Sequence, residues 1–420
     1  MRKIKTGLIR NTDILLPGSK SYTHRMLIAA SLSNDRCRIY NYLDSEDTNY
    51  TLAALTRLGA SAEKTFDYID IKGTGGKFRA VEGPIDLGNS GTSMRLLTGV
   101  VAVGQGTYVL TGTDRMKQRP IQHLLDALNQ LEVDAVSLDA NGCPPVKISG
   151  RKISGGLVEI DCSISSQFLS SLVLIAPLTQ NGLSVNVTKG PVSKPYIDMT
   201  VDVLGRFGIR TERDGYIRFH IPGGQIYRAG EYTVEPDASQ ASYFWAAAAV
   251  TGARVKVSGI SHASMQGDVR FTDVLQKMGC RIEHDQTGIS VIGQDLSGID
   301  VDMADMPDLV PTLAVIAAFA KGRTTIRNVG HLRDKESDRL SAVQAELTKI
   351  RISAKIEGDN LTVSGGMPKG AEIETYNDHR MAMSFAVAGL RTPGIIIKNE
   401  GCVAKSFPGF WDVFEQLYAS

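Results

Sequence analysis

Two cations and several hydroxyls stand together in Pro17-Gly18-Ser19-Lys20-Ser21-Tyr22-Thr23-His24-Arg25, just ahead of an apolar, alanine-rich run, Met26 to Leu32. The Pro-Gly turn and the following periodicity predict a helix start there. A helix N-terminus offers unpaired N–H groups and a partial positive charge, which suit an anion. Ser19 or Ser21 can cap that end, Ser21 and Arg25 share a face, and Lys20 adds a mobile point charge. Alone, such a stretch is also what a capped surface helix looks like.

Comparable groups recur. Asn89-Ser90-Gly91 offers backbone that a ligand can approach closely. Arg115, Lys117 and Arg119 form a basic loop before Pro120, which is placed to start a helix. Ser165, Ser166 and Gln167, then Ser193, Lys194 and Tyr196, supply hydroxyls and an amide suited to a polyol or phosphate. Asp308 stands at a predicted helix start in an apolar neighbourhood, where an N-cap is its ordinary role. His331-Leu-Arg-Asp-Lys-Glu-Ser-Asp-Arg339 is dense in both charge signs, and Lys335, Glu336 and Arg339 can share a face. Asp378, His379 and Arg380 follow, and Lys405 comes last. Together these supply about the cations that two phosphates and two carboxylates need, with guanidinium forks matched to such anions. No Walker A motif, no GxGxxG after a strand and no metal-spaced histidine pair is present. The chemistry implied is binding of small, multiply anionic ligands with no metal and no cofactor.

Composition narrows the class. The chain has 420 residues, 42% hydrophobic and 22% charged, so two domains of a globular protein are expected. With 46 basic and 45 acidic residues, any anion site is local, and neither nucleic acid nor a membrane is an expected partner. Five cysteines without a CxxC pair read as free thiols of a reducing compartment. The N-terminus lacks a signal-peptide pattern, so a cytoplasmic monomer is expected.

The elements that must position these residues repeat. Helix-start anchors Ser19, Asn89, Ser165, Asp237, Asp308 and Asp378 are spaced by about 70 residues. Interleaved amphipathic helices, with Leu55, Leu128, Leu204, Leu275, Leu347 and Phe414 as equivalent positions, keep the same spacing. Each unit reads as two helices and three or four strands, the first helix buried and the second two-faced. Three buried helices per domain, wrapped by sheets, group six units into two bodies. Pro222-Gly223-Gly224, Gly230-Glu231 and Glu235-Pro236 mark the expected hinge, with a ligand site between the bodies.

The blocks LPGSKSYTHR (16–25), LGNSGTSMR (87–95), RMKQRPI (115–121), SSQFLSSL (165–172), VEPDASQASY (234–243), LRDKESDR (332–339), NDHRMAM (377–383) and CVAKSFP (402–408), in this order, resemble the 5-enolpyruvylshikimate-3-phosphate synthases. The resemblance covers essentially the whole chain. It implies an α/β (α+β) fold of two domains, each three βαβαββ units, with residues 1–18 and 236–420 in one and 19–235 in the other. It implies transfer of the enolpyruvyl group of phosphoenolpyruvate to the 5-hydroxyl of shikimate 3-phosphate. Physically, the methylene carbon is protonated, the hydroxyl adds at C2, and phosphate leaves the tetrahedral intermediate as a methyl proton is removed. That sequence needs a base, an acid and cations to hold charge.

Carried over by position, the resemblance implies that Lys20, Ser21, Arg25, Ser165, Ser166, Gln167, Ser193, Tyr196, Asp308, His331 and Lys335 hold shikimate 3-phosphate. It assigns Lys20, Gly91, Arg119, Gln167, Arg339, Arg380 and Lys405 to phosphoenolpyruvate. Asp308 matches the base for the 5-hydroxyl, Glu336 is the candidate proton donor, and Lys20 touches both substrates. His331 stands where the family often has Asn, and Leu96 where Pro is frequent. Gly91 leaves room beside the phosphoenolpyruvate site, so sensitivity to glyphosate is expected, tempered by Leu96. The rival within the same chemistry is UDP-N-acetylglucosamine enolpyruvyl transferase. That family opens with Lys-Asn and carries a loop cysteine, whereas this chain has Lys20-Ser21 and no cysteine in 115–121. RNA 3′-phosphate cyclase fits poorly with the balanced charge. A non-enzymatic repeat protein or ring-shaped clamp would tolerate alanine at Lys20, Asp308 and Arg380.

Overall fold

The computed structural model describes residues 1–418. Helices alternate between buried and two-faced along the chain. In order they are α1 (Lys20–Leu32), α2 (Glu46–Arg57), α3 (Gly91–Ala102), α4 (Gln122–Gln130), α5 (Gln167–Ile175), α6 (Pro195–Arg206), α7 (Ala238–Thr251), α8 (Phe271–Lys277), α9 (Val310–Ala317), α10 (Arg339–Lys349), α11 (His379–Gly389) and α12 (Phe410–Glu415). The odd-numbered helices are almost wholly buried, as their unbroken apolar composition requires. Most start on a small polar cap that accepts a backbone N–H: Ser19 from Tyr22, Ser90 from Ser93, Asp237 from Gln240 and Asp378 from Arg380. Two anchors shift by one residue, because the caps are Ser90 and Ser166 rather than Asn89 and Ser165. Pro120 does not open α4: it follows a 3₁₀ turn, Met116–Gln118, and the helix begins two residues later at Gln122, with Ile121 in the cap position. α6 is followed by Gly208 at φ 79°, a left-handed position that glycine takes without strain.

Among the described residues, five of the six repeats are built on a small four-stranded sheet of one topology. In the second repeat, Ile85–Asp86 runs parallel to Gly106–Thr111, which pairs antiparallel with Val146–Gly150, and Asp134–Ser137 closes the hairpin. The two helices fall between these strands in sequence, giving βαβαββ. The third and fifth repeats have the same order. The first and fourth exchange their leading strands. Thr12–Ile14, which precedes α1, lies parallel to Arg254–Ser258 of the fourth repeat. Glu231–Thr233, which precedes α7, lies parallel to Arg36–Tyr40 of the first. The sixth repeat lacks its closing hairpin, and the N-terminal Arg2–Lys3 pairs antiparallel with Ile396–Ile397 instead.

This exchange makes one body discontinuous. Met1–Pro17 and the chain from Glu235 onward form one compact unit, and Gly18–Val234 forms the other. Pro222-Gly223-Gly224 lies inside the second unit, so the boundary falls at the later Glu235-Pro236. Each unit has its own apolar core around three odd-numbered helices. No helix among the described residues is long and apolar enough to cross a membrane.

Candidate active site

In the unit Gly18–Val234, the starts of α1, α3 and α5 carry the polar residues into an apolar body. Lys20, the first residue of α1, is buried, and its Nζ donates to Asp47 Oδ2 at 3.1 Å. Asp47 sits in the first turn of α2, where the helix dipole favours a carboxylate. Arg25, one turn further along α1, joins three helices. Its Nε donates to Thr200 Oγ1 at 2.7 Å, its Nη1 to the Ser21 carbonyl at 2.9 Å and its Nη2 to the Tyr196 carbonyl at 3.0 Å. Thr200 in turn donates to Ser170 of α5 at 2.9 Å. Burial pushes the Arg25 pKa down to about 10, opposed by Tyr196 and Tyr22, so it remains a cation at pH 7.

Gly91 opens α3 beneath two guanidinium groups. Arg119 Nη1 donates to the Asn89 carbonyl at 3.1 Å, and Arg95 Nη2 to the Pro120 carbonyl at 3.2 Å. A Cβ at position 91 would stand 2.5 Å from Arg119 Nη2 and 2.7 Å from Arg95 Nη1. A side chain there would push both guanidinium tips aside, although the backbone angles themselves do not demand glycine. Gln167 Nε2, at the start of α5, donates to Thr92 Oγ1 at 3.0 Å and ties this helix start to the previous one. Ser193 is buried at φ 55°, and its hydroxyl has no hydrogen-bond partner among the described residues.

The other unit concentrates charge around Asp308. That residue is not a helix cap: it lies in the 3₁₀ turn Pro307–Leu309 before α9 and makes no side-chain cap. Its Oδ1 accepts from Arg339 Nη1 at 2.8 Å and its Oδ2 from Arg380 Nη2 at 2.6 Å. Arg339 also donates from Nη2 to Glu336 at 2.6 Å and from Nε to Asp378 at 2.7 Å. Asp378 caps α11 by accepting the Arg380 backbone N–H at 3.0 Å, takes the Ser337 hydroxyl at 3.1 Å and so ties the Arg339 guanidinium to the start of that helix. Arg380 Nη1 donates to the Tyr243 hydroxyl at 3.2 Å.

Electrostatics follow from this packing. Burial would raise the Asp308 carboxyl, but Arg380, Arg339 and Lys335 outweigh it and hold it well below the ordinary carboxylate range. Burial opposes the charge on Arg339, yet Asp378, Glu336 and Asp308 more than restore it. Burial, reinforced by Lys335, pushes His331 down to about 4, so it is neutral at pH 7. Burial also pushes Asp268, which accepts from the Ser239 hydroxyl, up to about 7, with Asp308 adding to the effect. The cluster thus holds one carboxyl kept ionised and another that titrates close to neutral pH, the separation that acid–base sites exploit.

The site residues expected from sequence fall into these two groups. Lys20, Ser21, Arg25, Gly91, Arg119, Ser165, Ser166, Gln167, Ser193 and Tyr196 belong to one unit. Asp308, His331, Lys335, Glu336, Arg339, Arg380 and Lys405 belong to the other, where Asp308, Glu336, Arg339 and Arg380 share direct ion pairs and Lys335 acts on Asp308 through its charge. Lys405 is buried at the end of the 3₁₀ turn Glu400–Lys405. Sequence reasoning missed Asp47, Arg95, Thr200, Tyr243 and Asp268, and it treated Asp378 only as a helix anchor. Arg95 alone carried a signal, since it stands four residues after Gly91 on one helix face.

A family model described as EPSP synthase (3-phosphoshikimate 1-carboxyvinyltransferase) matches residues 9–414. The chain belongs to the EPSP synthase family. It is 44% identical over 411 residues to a 3-phosphoshikimate 1-carboxyvinyltransferase of Sulfurovum sp. (strain NBC37-1), covering 96% of each. It is 43% identical over 414 residues to the protein of that name in Vibrio cholerae, again with 96% of each chain covered. Among solved structures it is similar to EPSP synthase from Acinetobacter baumannii, with a TM-score of 0.83 at 28% identity, over 99% of this chain and 98% of that one. The enolpyruvyl transferase NikO from Streptomyces tendae shares the fold, with a TM-score of 0.79 at 20% identity, over 99% of this chain and 96% of that one.

Proposed function

We infer that the chain carries the activity of its family: it transfers the enolpyruvyl group of phosphoenolpyruvate to the 5-hydroxyl of shikimate 3-phosphate, releasing phosphate, in the shikimate pathway. The observation that carries the mechanistic reading is Asp308 bridged by Arg339 and Arg380. Phosphoenolpyruvate brings a carboxylate and a phosphate, which compete with Asp308 for those two forks. As the guanidinium groups turn to the substrate, Asp308 loses the cations that depress its pKa and becomes a stronger base. It then takes the 5-hydroxyl proton as that oxygen bonds to C2, while an acid, for which Glu336 is the candidate, protonates the methylene carbon.

In this reading Lys20, Ser21, Arg25, Ser165, Ser166, Gln167, Ser193 and Tyr196 of one unit, and Asp308, His331 and Lys335 of the other, are assigned to shikimate 3-phosphate. Arg119, Lys405, Gln167 and the Gly91 backbone join Arg339 and Arg380 on phosphoenolpyruvate, with Lys20 touching both substrates. The enzyme works as a cytoplasmic monomer on small molecules, and its nearly balanced charge supports purely local anion sites. A phosphate-release assay with phosphoenolpyruvate and either acceptor tests the assignment. Turnover with UDP-N-acetylglucosamine and none with shikimate 3-phosphate would overturn it.

Two substitutions probe the first half-site. Gly91→Ala forces Arg119 off Asn89, an overpacking of about 1–3 kcal/mol, and raises the KM for phosphoenolpyruvate roughly tenfold. The same change weakens inhibition by glyphosate; unchanged values of both would remove the crowding argument. Lys20→Arg keeps the charge but replaces a compact ammonium buried against Asp47 by a planar fork. Turnover falls on the order of tenfold, and a kcat within twofold of wild type would count against a role for the point charge.

A further inference from the structure

We propose that His262 and His284, outside the polar clusters described above, form a two-imidazole site for a borderline divalent transition-metal ion such as copper(II) or nickel(II). Their Nε2 atoms face each other at 3.0 Å, with ring centroids 4.1 Å apart and the planes inclined at 67°. Metal–imidazole bonds of about 2.0–2.1 Å put two nitrogens on one ion roughly 2.9 Å apart at a right angle and about 3.4 Å apart at a tetrahedral angle. The observed spacing, that of a hydrogen bond between the two rings, lies within that range, so an ion would take the place of the shared proton at a nitrogen–nitrogen distance already suited to it.

The backbone holds the pair in place. His284 lies on Arg281–Asp285, an edge strand whose hairpin partner is Gly288–Ile292. His262 sits in the turn Ser261–Ser264, closed by the Ser264 N–H on the Ser261 carbonyl at 3.0 Å. The Gly259 N–H donates to the Thr287 carbonyl at 2.8 Å, which joins the loop to the hairpin tip. Charged neighbours do not compete for the rings: Arg281 pairs with Glu283, and Lys256 with Asp285. Asp273, in the first turn of α8, adds a negative potential at His284.

The donor set selects the ion. Two imidazoles favour copper, nickel or zinc over magnesium or calcium, which prefer oxygen ligands. No group of three or more His, Cys, Asp or Glu able to hold a metal is found among the described residues, so solvent fills the remaining positions. Occupancy also fastens the loop that continues to Gln266. The side chain of Gln266 accepts the Ala238 N–H at 3.0 Å and donates to the Pro236 carbonyl at 2.8 Å, at the entrance to α7.

Titration of the metal-free full chain with copper(II), followed by calorimetry and electron paramagnetic resonance, tests the site. The expected result is one ion per chain with nitrogen hyperfine structure from two imidazoles. His262→Asn and His284→Asn each lower the affinity at least tenfold, whereas His220→Asn leaves it unchanged. Thermal unfolding of the wild type shifts upward with nickel(II), and the shift disappears in both site variants. Affinity unchanged in both variants, or lost equally in His220→Asn, overturns the proposal. Neither result bears on phosphate release, so the enolpyruvyl reading is tested separately.

Discussion

Replacing Asp308 by Asn lowers turnover at least about a hundredfold, the scale set by loss of a general base. The substitution conserves volume and leaves the apolar surroundings intact, so the loss is chemical. An amide cannot take the proton of the 5-hydroxyl. It also no longer competes with the substrate for Arg339 and Arg380, whose Nη atoms lie 2.8 Å and 2.6 Å from the carboxylate. The KM for phosphoenolpyruvate therefore stays level or falls while kcat drops, which marks a group acting in the transition state rather than in binding. Steady-state phosphate release separates the two constants. A variant with wild-type kcat would sink the role assigned to Asp308. A raised KM with kcat unchanged would make it a binding residue instead.

The sequence made some of this arrangement legible and hid the rest for definable reasons. Caps are local: Ser19, Asp237 and Asp378 show themselves because a small polar residue precedes an apolar run. The same rule misleads at Asp308, where an aspartate before α9 reads as a cap although its carboxylate serves two arginines 31 and 72 residues later. Asp47 was hidden for the same reason, since an acidic residue in the first turn of an amphipathic helix is explained by the dipole alone. Thr200 meets Arg25 across 175 residues, and no local pattern predicts that pairing.

Repeat spacing carried the architecture further than any motif. Six helix pairs at a near-constant interval imply six equivalent bodies, because one unit cannot bury its first helix alone. Periodicity could not show the exchange of Thr12–Ile14 and Glu231–Thr233 between repeats. Each strand has three residues, and their pairing depends on register with distant chain. Residue chemistry likewise counted cations without counting the carboxylates that neutralise them. Arg339 and Arg380 sit among Asp308, Glu336 and Asp378, so the cluster is a set of ion pairs that an anionic substrate must reorganise.

Arg339→Met is expected both to abolish turnover and to destabilise the unit that carries it by about 3–5 kcal/mol, as expected when one partner of a buried ion pair is removed. The side chain is 1% exposed and serves three carboxylates through different nitrogens. Methionine fills the volume of the stem but removes the guanidinium shared by Asp378, Glu336 and Asp308, of which Asp308 keeps a second arginine, Arg380. Arg339→Lys restores a single charge, yet an ammonium cannot reach all three partners, so it recovers only part of the stability. The pH dependence has a definite sign. In the wild type the Asp308 pKa is depressed on folding, so its contribution is present above its unfolded value of about 3.9 and is lost only as pH falls through the lower folded value. The Met variant loses the share of that contribution that Arg339 supplies, while Arg380 and Lys335 keep theirs, so its deficit is full at pH 7 and narrows as the carboxylates protonate below about pH 4. Urea unfolding of both proteins at pH 7 and pH 3 reads the effect. A deficit below about 1 kcal/mol at pH 7, or one that widens toward pH 3, would show that Arg339 is not what holds the three carboxylates together.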